Sequence, residues 1–256
     1  MEVCHKGGRA PLTILVTNDD GIDSQGIQIL AETLKVLGKV YVVAPDKECS
    51  AMAHSLSLHR PLKVKQLGDG YFAVDGTPAD CVNLAVCSLL PKKPDLIVSG
   101  INKGGNLGED VTYSGTVSAA FEGAFYGIPS FAISLVSKDD FKFKTAASFA
   151  QRVAQFILGN GLPKDTFLNI NVPNVTESEI KSYKITKQGR RIYGNAVVEE
   201  VDPVGQRYYW IRGHRGFESV DGTDFEAVAN NHISITPLHL DLTDYRSMEE
   251  AIRWKF

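Results

Sequence analysis

Three stretches of this chain are apolar without interruption: "TILV" at 13–16, "VYVVAP" at 40–45 and "DLIVSG" at 95–100. A strand with one face in water alternates apolar and polar residues. A continuous run needs cover on both faces, and a parallel sheet held between layers of helices supplies it. No other feature of the chain restricts the fold as tightly.

The segments between these runs carry helical spacing. Ile27, Leu30, Leu34 and Leu37 fall on one helical face, and Gly38 ends that helix. In "VDGTPADCVNLAVCSLL" at 74–90, Thr77 is a candidate N-cap, Pro78 takes the first helical position, and Asp80 closes a capping box. Val82, Val86 and Leu89 supply its apolar stripe. A third helix is predicted from about 116 to 127, where Gly127 and Pro129 stop it. Strand "SFAIS", a helix over 145–158 and strand "FLNINVP" follow. The alternation predicts an α/β fold, a doubly wound parallel sheet occupying 13–180 of one domain that runs from 13 to 256.

Beyond 180 the pattern changes. "YKITKQGRRIYGNAVVEEVDPVGQRYYWIRG" is rich in β-branched and aromatic residues, with turn signals at Gly189, Gly194 and Asp202-Pro203. It reads as an antiparallel β arm within a C-terminal part spanning 181–256. A lone hairpin of this kind cannot bury both faces, so a second copy of the chain is its expected cover. Residues 1–12 read as a loose N-terminal extension without the apolar core of a secretory signal.

Composition narrows the partners. Of 256 residues, 43% are hydrophobic and 22% charged, the formal charge is −3, and no basic run is present. A groove for nucleic acid is therefore not expected. No run reaches the roughly 18 apolar residues of a membrane span. Cys4, Cys49, Cys81 and Cys87 form no C-x-x-C pair and no zinc spacing, so they read as buried free thiols of a cytoplasmic protein.

In an open parallel sheet, sites form beyond the carboxyl ends of the strands. After the first strand come Asn18, Asp19, Asp20 and Gly21; after the second, Asp46, Ser50 and His54; after the third, Asn102, Asn106, Ser114 and Thr116. Adjacent aspartates repel each other unless they lie in solvent or share a cation. Carboxylate, amide and hydroxyl oxygens suit Mg²⁺ or Mn²⁺ rather than zinc. "NKGGNLG" followed by "YSGTVSAAFEGA" runs a glycine-containing turn into a helix, a natural anion site built from backbone N–H groups and small hydroxyls. Cation ligands beside an anion cradle describe metal-assisted phosphoryl transfer to water. His54 and His59 read as structural residues, and Lys103 reads either as a group that steers phosphate or as a solvated loop lysine.

The segments "ILVTNDDGI", "VVAPDKECSAMAHS", "GTPADCV", "PDLIVSGINKGGNLGEDVTYSGTVSAAFEGA", "NINVP" and "SITPL" closely resemble the SurE family of stationary-phase survival proteins, which are 5′/3′-nucleotidases. The resemblance covers nearly the whole chain from Thr13. It implies a Rossmann-like core with one divalent cation per subunit, Mg²⁺ or Mn²⁺, at Asp19, Asp20, Ser50 and Asn102. It further implies hydrolysis of nucleoside monophosphates, and in some members of short polyphosphate, by a homodimer or homotetramer that exchanges C-terminal elements. Asn18, Gly21, Asn106, Ser114, Gly115 and Thr116 are the expected phosphate-binding positions. Asp19 has two open roles besides ligation, general base and covalent nucleophile. Cys49 stands where arginine is common, "SAMAHS" where "SATGHS" is familiar, and Tyr113 where histidine often precedes "SGT". The rim of the pocket is altered while the four ligand positions are kept.

Other classes fit less well. A receiver-like phosphoswitch needs an acceptor aspartate at the third strand end, where this chain has Asn102, and is about half as long. A haloacid-dehalogenase-type phosphatase needs D-x-D, whereas Asp19 and Asp20 are adjacent. A nucleotide-binding protein without turnover is the remaining alternative.

Overall fold

The computed structural model describes residues 11–192, 197–211 and 216–255. Its centre is a nine-stranded sheet whose strands lie in the spatial order Val64–Gly68, Tyr71–Val74, Lys39–Pro45, Thr13–Thr17, Leu96–Lys103, Ser130–Val136, Thr166–Pro173, His232–His239 and Ser182–Ile185. The three continuous apolar runs are its middle strands: β1 (Thr13–Thr17), β2 (Lys39–Pro45) and β5 (Leu96–Lys103). β1 pairs in parallel with β2 on one side and β5 on the other. β6 (Ser130–Val136) and β7 (Thr166–Pro173) extend the parallel run.

Helices cover both faces, which explains the apolar continuity of the strands. Helices α1 (Gln25–Leu34) and α4 (Phe143–Asn160) pack Ile27, Leu30, Phe149 and Ile157 against Ile14, Val16, Val98 and Ile133. On the opposite face lie α2 (Pro78–Leu84) and α3 (Gly115–Phe125), whose Cys81, Val82 and Ala119 meet Leu15, Val43 and Ile97. The capping box at Thr77 forms as expected: the Thr77 hydroxyl accepts from the Asp80 amide at 3.1 Å, and the Asp80 carboxylate accepts from the Thr77 amide at 2.9 Å. Helix α1 ends at Leu34, one turn short of Leu37.

Two regions differ from the expectation. An edge hairpin, β3 (Val64–Gly68) and β4 (Tyr71–Val74), joins the sheet beside β2. Every residue of β3 is exposed, so it carries no burial signature. The division at 180 is also displaced. β8 (Ser182–Ile185) and β13 (His232–His239) belong to the central sheet, with β13 antiparallel to β7 and parallel to β8. Hydrogen bonding to β7 draws these C-terminal strands into the core, and the projecting part shrinks to what lies between them. That part contains β9 (Arg191–Ile192) paired with β12 (Gly216–Phe217), and the separate ribbon of β10 (Val197–Val201) and β11 (Arg207–Ile211). The turn expected at Asp202 closes the ribbon, with Gly205 N donating to the Asp202 carbonyl at 3.0 Å. Helices α5 (Asp224–Ala229) and α6 (Tyr245–Ala251) flank β13 in sequence. Residues 1–10, with Cys4, and the turn signal at Gly194 lie outside the described residues. Of the other thiols only Cys81 is buried; Cys49 is half-buried, and Cys87 is exposed in the π-helical turn Ala85–Leu89 that follows α2, of which only Ala85 is buried.

Candidate active site

The strand order reverses at β1: the chain runs outward to β2 on one side and returns to β5 on the other. Loops leaving such a switch point diverge and open a crevice at the carboxyl ends of the strands. The 18–24 turn, the segment after β2 and the segment after β5 meet there. Cys49 N donates to the Asp19 carbonyl at 2.7 Å, and Lys103 N donates to Asp20 Oδ2 at 3.1 Å. The register of β5 shifts between Gly100 and Asn102, a bulge that redirects Asn102 and Lys103.

The adjacent aspartates part company at once. Asp19 is only 5% exposed and lies against the first turn of α3, where Thr116 Oγ1 donates to its Oδ1. Gly115 makes this approach possible. A Cβ there would stand 2.9 Å from Asp19 Cβ and 3.0 Å from its Oδ2, closer than side chains pack. Gly21, at φ +91°, turns the chain beneath the pair, and its carbonyl accepts from Asn18 Nδ2 at 2.9 Å. Burial pushes the Asp19 carboxyl up to about 6, a rise moderated by the Thr116 hydrogen bonds and reinforced by Asp20. Burial also raises Asp20, opposed by the Lys103 amide and charge and aided by Glu48. Among the described residues neither aspartate takes part in an ion pair.

The remaining candidate ligands are polar oxygens. Ser50 is exposed, and its hydroxyl donates to Glu48 Oε1 at 2.7 Å. Asn102 donates through Nδ2 to the Gly104 carbonyl at 2.9 Å, which leaves its amide oxygen as the donor atom for a cation. No group of three His, Cys, Asp or Glu side chains suited to a metal occurs among the described residues. The donors here are two carboxylates, an amide and a hydroxyl, a set matched to hard cations. Among the described residues, three buried oxygens at this end of the strands find no hydrogen-bond partner: Thr17 Oγ1, Asn18 Oδ1 and Ser99 Oγ. Buried polar atoms in folded proteins are rarely left so.

Several residues expected to grip phosphate are engaged within the protein. Asn18 Nδ2 also donates to Ser24 Oγ at 2.8 Å, fixing the turn. The Ser114 hydroxyl caps α3 by accepting from Val117 N at 3.1 Å. Asn106 Nδ2 donates to Ser134 Oγ at 2.8 Å, and its backbone is held by Asn169 and Asn171 of β7. These side chains build the walls, so an anion at this place would meet backbone N–H groups first. His54, read as structural, forms a 2.6 Å pair with Glu122 on the outer side of α3. Glu48 escaped the sequence reading. Its only signal was an acid two positions before Ser50.

The family model for the survival protein SurE matches residues 14–195. A 5′-nucleotidase SurE of Pelobacter propionicus is 56% identical over 245 residues, covering 95% of this chain and 99% of that protein. The Geobacter sulfurreducens 5′-nucleotidase SurE is 53% identical, covering 95% and 94% respectively. The crystal structure of SurE from Aquifex aeolicus superposes with a TM-score of 0.85 at 48% identity, covering 93% of this chain and 97% of that one. On a family match over most of the chain and relatives more than half identical along nearly its whole length, the chain belongs to the SurE survival-protein family.

Proposed function

We propose that this protein is a metal-dependent 5′-nucleotidase that releases phosphate from nucleoside monophosphates, with 3′-monophosphates and short polyphosphate as further substrates. One observation carries the reading above all: two carboxylates whose proton affinity burial raises, without an ion-pair partner among the described residues, beside a helix that starts with a glycine. Such a pair is costly unless a cation joins it. The 5′-nucleotidase relatives support the substrate class.

Asp19, Asp20, Ser50 and Asn102 would hold one Mg²⁺ or Mn²⁺. When bound, that ion supplies Lewis acidity toward a phosphate oxygen and lowers the pKa of a coordinated water. The chain supplies the rest. Backbone N–H groups in the first turn of α3, with the positive end of its dipole, bind the anionic oxygens and stabilise charge that develops on them. Gly115 lets phosphate approach the backbone, and Thr116 orients the Asp19 carboxylate through Oδ1. Asp19 then has Oδ2 for the metal, or for a proton of the attacking water.

A homodimer or homotetramer and a cytoplasmic location complete the reading. Tyr209, Trp210 and Ile211 on the ribbon are 58%, 50% and 86% exposed, and α6 buries no residue within its own chain. Among the described residues, no helix is long and apolar enough to cross a membrane.

Phosphate release from adenosine monophosphate, with Mn²⁺ or Mg²⁺ and then with excess chelator, tests the assignment. Turnover abolished by chelator and restored by the metal is expected. Equal turnover under both conditions would remove metal from the mechanism, and nucleotide binding without turnover would leave a binding protein.

A further inference from the structure

The turn that leads into α3, residues 108–112, is held from outside by the C-terminal part of the chain. Asp224, fully buried at the start of α5, uses both carboxylate oxygens as a bridge. Its Oδ2 accepts from Gly108 N at 2.8 Å, while Oδ1 accepts from Gly189 N at 2.8 Å and from its own neighbour Phe225 N at 2.9 Å. Gln188 Nε2 grips the same turn by donating to the Gly108 carbonyl at 3.0 Å. One step further, Arg191 N donates to Glu109 Oε2 at 2.8 Å, and the Arg191 guanidinium pairs with Asp110. The Arg191 guanidinium also lies over the Phe225 ring at 5.5 Å, and Phe217 stacks on that ring at 4.9 Å. Both strands of the arm base, the start of α5 and the turn before the cradle therefore form one assembly.

Only two residues, Tyr113 and Ser114, separate this turn from Gly115 and Thr116. Its position consequently determines where the amides of α3 point. We infer that Asp224 is a positioning residue for phosphate: by tying Gly108 to Gly189 it holds the start of α3 at the distance from Asp19 that the substrate requires. Asp224 touches neither substrate nor metal, and its influence travels through backbone hydrogen bonds. The inference rests on the nucleotidase reading above.

Asp224→Asn separates the two halves of the bridge. The asparagine oxygen keeps the bonds to Gly189 and Phe225, while its NH₂ faces the Gly108 N–H, donor against donor. A buried amide that loses its acceptor in this way carries a cost equivalent to roughly a tenfold change in an equilibrium constant. Gln188→Ala removes the other hold on Gly108 without placing a new buried donor, and serves if the first variant does not fold. Steady-state turnover of adenosine monophosphate, product inhibition by inorganic phosphate and Mn²⁺ titration by calorimetry are measured for each. The expected result is a rise of roughly tenfold in KM and in the phosphate inhibition constant for Asp224→Asn. A rise of about threefold is expected for Gln188→Ala. Mn²⁺ affinity should stay within about twofold, and kcat should fall less than KM rises. Unchanged KM and phosphate inhibition in the folded variants would overturn the inference. So would a loss confined to kcat or to Mn²⁺ affinity. A parent protein that turns over no monophosphate with metal present would instead sink the nucleotidase reading, before any variant is compared.

Discussion

At the ends of β1 and β5 the uncompensated quantity is charge. Asp19 and Asp20 are drawn out of water, held apart by Thr116 and the Lys103 amide, and left with raised affinities for protons. On the ribbon of β10 and β11 the uncompensated quantity is apolar surface. Val197, Val201, Tyr209, Trp210 and Ile211 are exposed, and among the described residues the two strands pair only with each other. The first region is anchored by buried hydrogen bonds at Asn18 and Asp19, whereas an isolated two-stranded ribbon is marginal in water. Unneutralised negative charge inside a hydrogen-bonded frame is what the cation proposed above would join. Apolar surface on a projecting ribbon is what the second chain proposed above would cover. The two regions teach the same lesson, that what a fold leaves unsatisfied states the chemistry of what it binds.

Asp19→Asn or Asp20→Asn should lower metal-dependent turnover by about a thousandfold, since each removes a charge from a site worth several kcal/mol to the transition state. Far-UV circular dichroism should be unchanged. Full turnover of either variant at saturating Mn²⁺ would end the ligand assignment.

Gly115→Val comes next, with a loss in kcat/KM of roughly a hundredfold from displacement of the reacting groups. The collision is with Asp19 itself, 2.9 Å from the added Cβ. Mn²⁺ affinity should therefore fall along with phosphate binding, and calorimetry that found it intact would show that Asp19 had not moved.

A third expectation concerns the metal-free protein. The Asp19 carboxyl titrates near 6 when folded and near the ordinary 3.8 when unfolded, so between these values the folded state holds the extra proton. Stability from this group is full below about pH 4 and is lost as pH rises toward 6. With chelator present, Asp19→Asn should thus be more stable than the parent at pH 7.5 by on the order of 2–3 kcal/mol. The advantage should vanish near pH 4. Chemical denaturation at the two pH values measures it, and an equal difference at both would refute the burial argument.

The smallest effect on the site is expected from the ribbon. Replacing 197–211 by a short glycine-serine turn should change turnover per subunit by less than about tenfold, because the holds on Gly108, Glu109 and Asp110 come from 188–191 and Asp224. The same change should reduce the assembly seen by light scattering. An intact protein that is monomeric at micromolar concentration would show that the ribbon needs no second chain to cover it.

Much of the core was legible in the chain. Continuous apolar runs demanded strands covered on both faces, the Thr77-Pro78-Asp80 box announced its helix, and the paired aspartates follow directly on the end of the first strand. These signals are local, or repeat at the period of one element, so neighbouring residues are enough to read them. Tertiary structure alone decided the rest. The exposed β3 strand carries no period to detect, and β13 enters the sheet because β7 offers it an edge. Thr116 meets Asp19 across 97 residues, and Asp224 meets Gly108 across 116. Nothing in the spacing of such residues encodes their contact. Their roles arise when the strand order reverses at β1 and brings distant loops to one edge, where burial turns ordinary carboxylates into groups that require partners.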